Sequence, residues 1–229
     1  MGKREMKLSE RLSACAALVR PGSIPADIGT DHGHVPIYLV ANGICPRAIA
    51  ADLRQGPLSA ARRNADLAGV TDRIDFYLSD GLKEIPAGAC DTVICAGMGG
   101  DTIISILSGA GWIRDGEISL ILQPQSAVAE LRAFLWEEGF SIQRERFAED
   151  GKFVYTVMEV HFGRMRENIP ASFHLPVNPE KNTAYEHYMA RLRHSLEKSV
   201  SGLQQAKNAD PERLREFEAA LAALEEIAI

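Results

Sequence analysis

Between residues 24 and 160 the chain alternates short apolar runs, the first four closing on an acidic residue or a glycine, with stretches of helical spacing. The runs are IPADIG (24–29), RAIAAD (47–52), IDFYLSD (74–80), DTVICAG (91–97) and EISLILQ (117–123). Helical segments are predicted between and after them over 34–42, 57–68, 101–108 and 127–137, with Pro57 suited to a first turn. Such repetition specifies a doubly wound, mostly parallel sheet covered by helices. A further helix over 8–19, with Leu8, Leu12, Ala16 and Val19 on one face, precedes the first strand and stops at Arg20-Pro21-Gly22. SIQRERF (141–147) and FVYTVMEV (153–160) follow one another with only Glu149-Asp150-Gly151-Lys152 as a turn between them. Two strands without a crossover helix pair antiparallel, so the sheet is expected to have seven strands and end in a hairpin.

At 163–178 the pattern breaks, with Pro170, Pro176 and few apolar residues, and a linker is expected there. Two helical stripes follow: Tyr185, Met189, Leu192, Leu196, Val200 and Leu203, then Leu214, Phe217, Leu221 and Leu224. Asp210-Pro211 between them reads as a cap and first helical residue. The expected organisation is a domain over 1–162 and, over 163–229, a linker with an antiparallel, coiled-coil-like helical hairpin. That hairpin is suited either to internal packing or to homodimerisation. A composition 46% hydrophobic and 24% charged excludes disorder over most of the 229 residues. Cys15, Cys45, Cys90 and Cys95 form no CxxC pair, so buried free thiols are expected rather than zinc ligands or a disulfide scaffold. No run of 18 apolar residues and no apolar signal core occur, which gives the expectation of a cytoplasmic protein without membrane attachment.

Ligands of doubly wound sheets bind beyond the carboxyl ends of the strands, at the switch point. The first strand runs into Asp27-Ile28-Gly29-Thr30-Asp31-His32-Gly33. A dinucleotide fingerprint needs glycine where Asp31 stands, and a carboxylate there would repel a pyrophosphate. A phosphate-free, cationic ligand fits better, and S-adenosylmethionine is one. The second strand ends at Asp52, an acid placed to accept from ribose hydroxyls, and the third at Asp80-Gly81, placed to accept from an adenine amino group. A single strand-end aspartate is as well explained as a turn or cap. Asp27, Asp52 and Asp80 at three successive strand ends form a more specific set for an adenosyl cofactor. Ala96-Gly97-Met98-Gly99-Gly100 closes the fourth strand with glycines that permit close backbone approach, or simply a tight turn. The Asn/Asp-Pro-Pro-aromatic loop of enzymes that methylate exocyclic amines is absent, which points the target atom elsewhere. Rival readings are a metal-dependent hydrolase using Asp31, His32 and His34, a nicotinamide enzyme, and a non-catalytic RNA-binding protein on the same fold.

Taken together, ADIGTDHGHVP (26–36), the Asp80-Gly81-Leu82 turn, AGMGG (96–100), LILQPQ (120–125) and EDGKFVY (149–155) resemble the TrmK family, bacterial tRNA methyltransferases acting on N1 of adenine 22. The resemblance runs from Leu8 to Val160, and Gln125 stands where the family pattern has Asn. It implies a class I Rossmann-like methyltransferase fold with S-adenosylmethionine across the first four strand ends and tRNA as partner. On this resemblance Asp27, Gly29, Asp31 and His32 line the methionine end, Asp52 takes the ribose, Asp80 and Gly81 the adenine, and Ala96, Gly97 and Met98 close over the cofactor. Asp31 is the expected catalytic carboxylate, with His32 as an alternative, and Gln123 with Pro124 is expected to contact the target base. No metal is expected. Another RNA position or a small-molecule substrate stays open.

The net charge of −6 looks adverse to a nucleic-acid partner. Its distribution changes that: residues 1–162 carry −5, while 1–20 carry +3 and 163–208 carry +3 with three histidines. Two modestly basic segments can therefore supply phosphate contacts around an acidic core.

Overall fold

In a computed structural model, which describes residues 7–115, 117–163, 172–206 and 208–227, seven strands form one sheet in the order β3-β2-β1-β4-β5-β7-β6. They are β1 (Pro25–Ile28), β2 (Ala48–Asp52), β3 (Ile74–Leu78), β4 (Thr92–Met98), β5 (Ser119–Pro124), β6 (Phe140–Asp150) and β7 (Phe153–Phe162). β1 to β5 pair parallel, and β7 joins β5 and β6 antiparallel. The helices are α1 (Glu10–Ala16), α2 (His34–Ala41), α3 (Gln55–Ala68), α4 (Gly100–Ser108), α5 (Val128–Glu137), α6 (Thr183–Gln205) and α7 (Pro211–Ile227). The seven-stranded, mostly parallel Rossmann-like sheet with its terminal hairpin is thus as the sequence predicts.

β1 and β2 are buried along their whole length, as central parallel strands covered on both faces must be. Their period of two divides the core. Ala26, Ile28, Val93, Cys95, Leu120 and Leu122 face α4 and α5, packing with Ile103, Leu107, Leu131 and Leu135. Ile94, Ile121 and Val157 point the other way, onto Cys15 and Leu18 around α1 and Val35 and Leu39 of α2. The strand order reverses between β1 and β4, which opens the cleft where a ligand of such sheets lies. All four cysteines are buried free thiols, and burial pushes Cys15 and Cys90 up to about 12.

The helical hairpin packs internally. Leu196, Ala220 and Leu224 form a small core with Leu175, flanked by Met189, Leu192, Phe217 and Leu221. Asn182 caps α6 by accepting from the Tyr185 N–H at 2.8 Å, and Asp210 Oδ1 accepts from the Glu212 N–H at 2.9 Å at the head of α7.

The linker expected over 163–178 is replaced in part by a fixed strap. Residues 164–171 lie outside the described residues, but 172–180 run against β6. Pro179 forms a parallel bridge with Glu145, whose N–H donates to Asn178 O and whose carbonyl accepts from the Glu180 N–H. The cause is a buried ion pair that composition does not reveal. Arg132 of α5 donates from Nε and Nη2 to the Glu145 carboxylate at 3.0 and 2.8 Å, and from Nη1 to the carbonyls of Phe173 and His174. Both side chains are fully buried. Among the described residues no helix is long and apolar enough to cross a membrane.

Candidate cofactor and catalytic site

The loop after β1 is built around one carboxylate. Asp52, buried at the end of β2, accepts from the Asp31 N–H at 3.2 Å through Oδ2 and from the Arg54 N–H at 2.9 Å through Oδ1. Each oxygen keeps a further lone pair for a hydroxyl donor. The same pairing ties the β1–α2 loop to the end of the neighbouring strand. Asp31 sits at φ +52°, a left-handed conformation that costs a non-glycine residue about 1 kcal/mol. Its side chain is 65% exposed, 3.6 Å from the His32 ring, so a charged group is held at the mouth where a phosphate loop has glycine. Asp27 lies beneath, buried, accepting from Thr30 Oγ1 at 2.6 Å. Burial pushes its pKa up to about 7, the Thr30 hydrogen bond opposes this, and Asp52 adds to it.

Gly29 and Met98 join the ends of β1 and β4. Gly29 has φ +69°, and a Cβ there would overlap Met98 Cε, so the methionine lies directly over the bare backbone. Next to it the β4–β5 register shifts between Ala96 and Met98, and Gly97 stands at φ +79°. Gln123 holds this turn. Its Oε1 accepts from the Gly97 N–H at 2.9 Å and from Arg11 Nη1 at 2.6 Å, while its Nε2 donates to Pro124 O. Gln123 is fully buried. The sequence reading has Gln123 contact the target base; the structure adds that its amide oxygen is shared by Gly97 and Arg11.

Asp80 and Gly81 follow β3. Asp80 is exposed and ion-paired with Lys83, and Gly81 at φ +61° leaves room for Ile106. No direct hydrogen bond links Asp80 to Asp27, Asp31 or Asp52 among the described residues. His34, proposed with Asp31 and His32 as a metal set, is depressed in pKa by burial and then by His32. No group of three potential ligands converges for a metal among the described residues.

A model of the methyltransferase domain matches residues 8–158. The tRNA (adenine(22)-N(1))-methyltransferase of Bacillus subtilis is 35% identical over 159 residues, covering 69% of this chain and 67% of that protein. The chain belongs to the TrmK family. The crystal structure of B. subtilis TrmK superposes with a TM-score of 0.85 at 28% identity, covering 98% of this chain and 100% of the other. A putative tRNA (m1A22) methyltransferase of Streptococcus pneumoniae, solved with S-adenosyl-L-methionine, gives 0.77 at 27% identity over 97% and 100%.

Within the TrmK frame the structure brings Asp27, Gly29, Asp31, His32, Asp52, Ala96, Gly97 and Met98 to the β1, β2 and β4 ends around the switch point. Arg11 is the residue that sequence reasoning missed. It stands on α1, 112 positions from its Gln123 partner, with its guanidinium carbon 5.7 Å from the Tyr155 ring centroid. The one signal for it was the basic surplus of residues 1–20.

Proposed function

We propose that this chain is an S-adenosylmethionine-dependent tRNA methyltransferase acting on N1 of adenine 22, working in the cytoplasm. The supporting observation is the loop after β1, where Asp31 occupies a left-handed, glycine-type position and is pinned by its N–H to Asp52. Such a loop disfavours a pyrophosphate and suits a sulfonium ligand carrying a ribose. The residues fit the cofactor: Asp52 retains acceptor capacity for ribose hydroxyls, Asp27, Gly29 and His32 line the methionine end, Ala96, Gly97 and Met98 close over it, and Asp80 with Gly81 borders the adenine. S-adenosylmethionine supplies an activated methyl group when bound.

Asp31 is the proposed catalytic residue. N1 of adenine is a neutral nucleophile, and the base gains positive charge as the methyl arrives. The Asp31 carboxylate stabilises that charge or takes a proton from N6. Gln123 acts through Gly97 and Arg11. Position 22 lies in the stacked core of folded tRNA, so the base must leave its stack, at a cost of a few kcal/mol. The helical hairpin, with its exposed basic residues, holds the tRNA meanwhile.

The test is methyl transfer from labelled S-adenosylmethionine to unmodified tRNA, with nucleoside mapping. N1-methyladenosine at position 22 is expected; a product elsewhere would overturn the substrate assignment. Asp31→Asn, which tolerates the same backbone conformation, is expected to retain cofactor affinity, read by calorimetry, far better than it retains the transfer rate. Parallel loss of both would remove Asp31 from catalysis.

A further inference from the structure

β7 leaves the start of one face uncovered. Val157 on that face is buried under α1, but Tyr155 is half-buried and Phe153 is 51% exposed, although all three share the strand's period of two. The Phe153 and Tyr155 ring centroids lie 6.1 Å apart with their planes tilted by 44°, so the two rings form an aromatic ledge in two adjoining steps at the carboxyl edge of the sheet. Each ring carries a cation: Lys152 Nζ is 5.4 Å from the Phe153 centroid, and the Arg11 guanidinium carbon is 5.7 Å from the Tyr155 centroid. The ledge adjoins the site, because Arg11 shares the Gln123 carbonyl oxygen with the Gly97 N–H.

A flat aromatic flanked by two cations beside a methyltransferase cleft matches the chemistry that receives an unstacked nucleobase: a π face for the ring and positive charge for the phosphates on either side. We propose that the target adenine, once out of its stack, rests on Phe153, with Tyr155 extending the platform and Arg11 and Lys152 taking the flanking phosphates. Gln123 then has a second consequence, since it fixes the arginine that holds the RNA to the same turn that borders the cofactor.

This proposal rests on the tRNA methyltransferase reading above, and the test separates the two. Phe153→Ala, Phe153→Leu and Phe153→Tyr are compared with the wild type in the full chain, using tRNA and also tRNA with 2-aminopurine in place of the target adenine. Loss of one stacked base is expected to lower kcat/KM for tRNA by about tenfold or more in Phe153→Ala. Phe153→Tyr restores it and Phe153→Leu does not. S-adenosylmethionine affinity and melting temperature stay at wild-type values. The 2-aminopurine fluorescence is quenched by the wild type and brighter with Phe153→Ala. Wild-type kcat/KM in Phe153→Ala, equal function of Leu and Tyr, or a matching fall in cofactor affinity would overturn the ledge. If the wild type transferred no methyl to tRNA, the function would fall, and the fluorescence difference would still decide whether a base stacks on Phe153.

Discussion

Asp27 lies buried at the end of β1, with its carboxyl raised from 3.8 to about 7. An acid raised on folding binds its proton more tightly in the folded chain, so the unfolded chain is the less protonated state between those two values. Stability of the ligand-free protein therefore falls as pH rises from about 4 to about 7 and levels off above. Asp27→Asn mimics the neutral acid and removes that slope. Its stabilisation relative to wild type is expected to be clearly smaller at pH 5 than at pH 8, as read by urea unfolding at both. A gain that does not grow with pH would place the raised carboxyl elsewhere. The strand-end acids Asp27 and Asp52 were legible because a doubly wound sheet puts functional groups at strand ends, whatever its helices are. Gln123 was legible by its place at the end of β5, but its bonds to Gly97 and Arg11 were not. Its last partner, Arg11, comes from a helix that any reading of spacing treats as a solvated face. A contact across 112 positions leaves no local signal.

At the scale of elements, the strap over 172–180 decides how α6 and α7 sit on the domain. Its backbone reaches α5 and β6 through Arg132 and Glu145, and Glu145 also accepts from Thr156 Oγ1 at 2.7 Å and the Val177 N–H at 2.8 Å. Tyr185 and Tyr188 of α6 complete the joint against Phe147, with ring centroids 5.3 and 4.9 Å away. Removing one partner of a buried pair leaves an uncompensated charge, so Arg132→Leu is expected to destabilise the protein by about 3–5 kcal/mol. Arg132→Met with Glu145→Leu should recover much of that, but not all, because the Phe173 and His174 carbonyls still lose their donor. Urea unfolding of the single and double variants checks both. The pair also explains why the strap read as a linker: prolines and sparse apolar residues describe its own sequence, while its anchorage belongs to α5 and β6. The β6–β7 hairpin, by contrast, was legible, since two adjacent strands with a short glycine turn have only one way to pair.

For the molecule as a whole, the distribution of charge matters more than its sum of −6. His187, Arg191, His194 and Lys198 are exposed at spacings that put them on one face of α6, while the apolar stripe of that helix is covered by α7. His187 is anchored to Glu149 of β6, so this face continues from the arm onto the end of the sheet that carries the ledge. Phosphates bound along it would span arm and cleft, making the arm a ruler for where the RNA enters. Each phosphate contact contributes close to one unit to the salt dependence of affinity, whereas base stacking contributes almost none. Arg191→Glu with Lys198→Glu is therefore expected to weaken tRNA binding at least roughly tenfold and to flatten log Kd against log salt by about 2. S-adenosylmethionine affinity should not change. Phe153→Ala should instead weaken binding or turnover with the salt slope intact, so the two surfaces are distinguishable in one titration series. An unchanged slope in the charge-reversed arm would mean that the tRNA is held by the core domain alone.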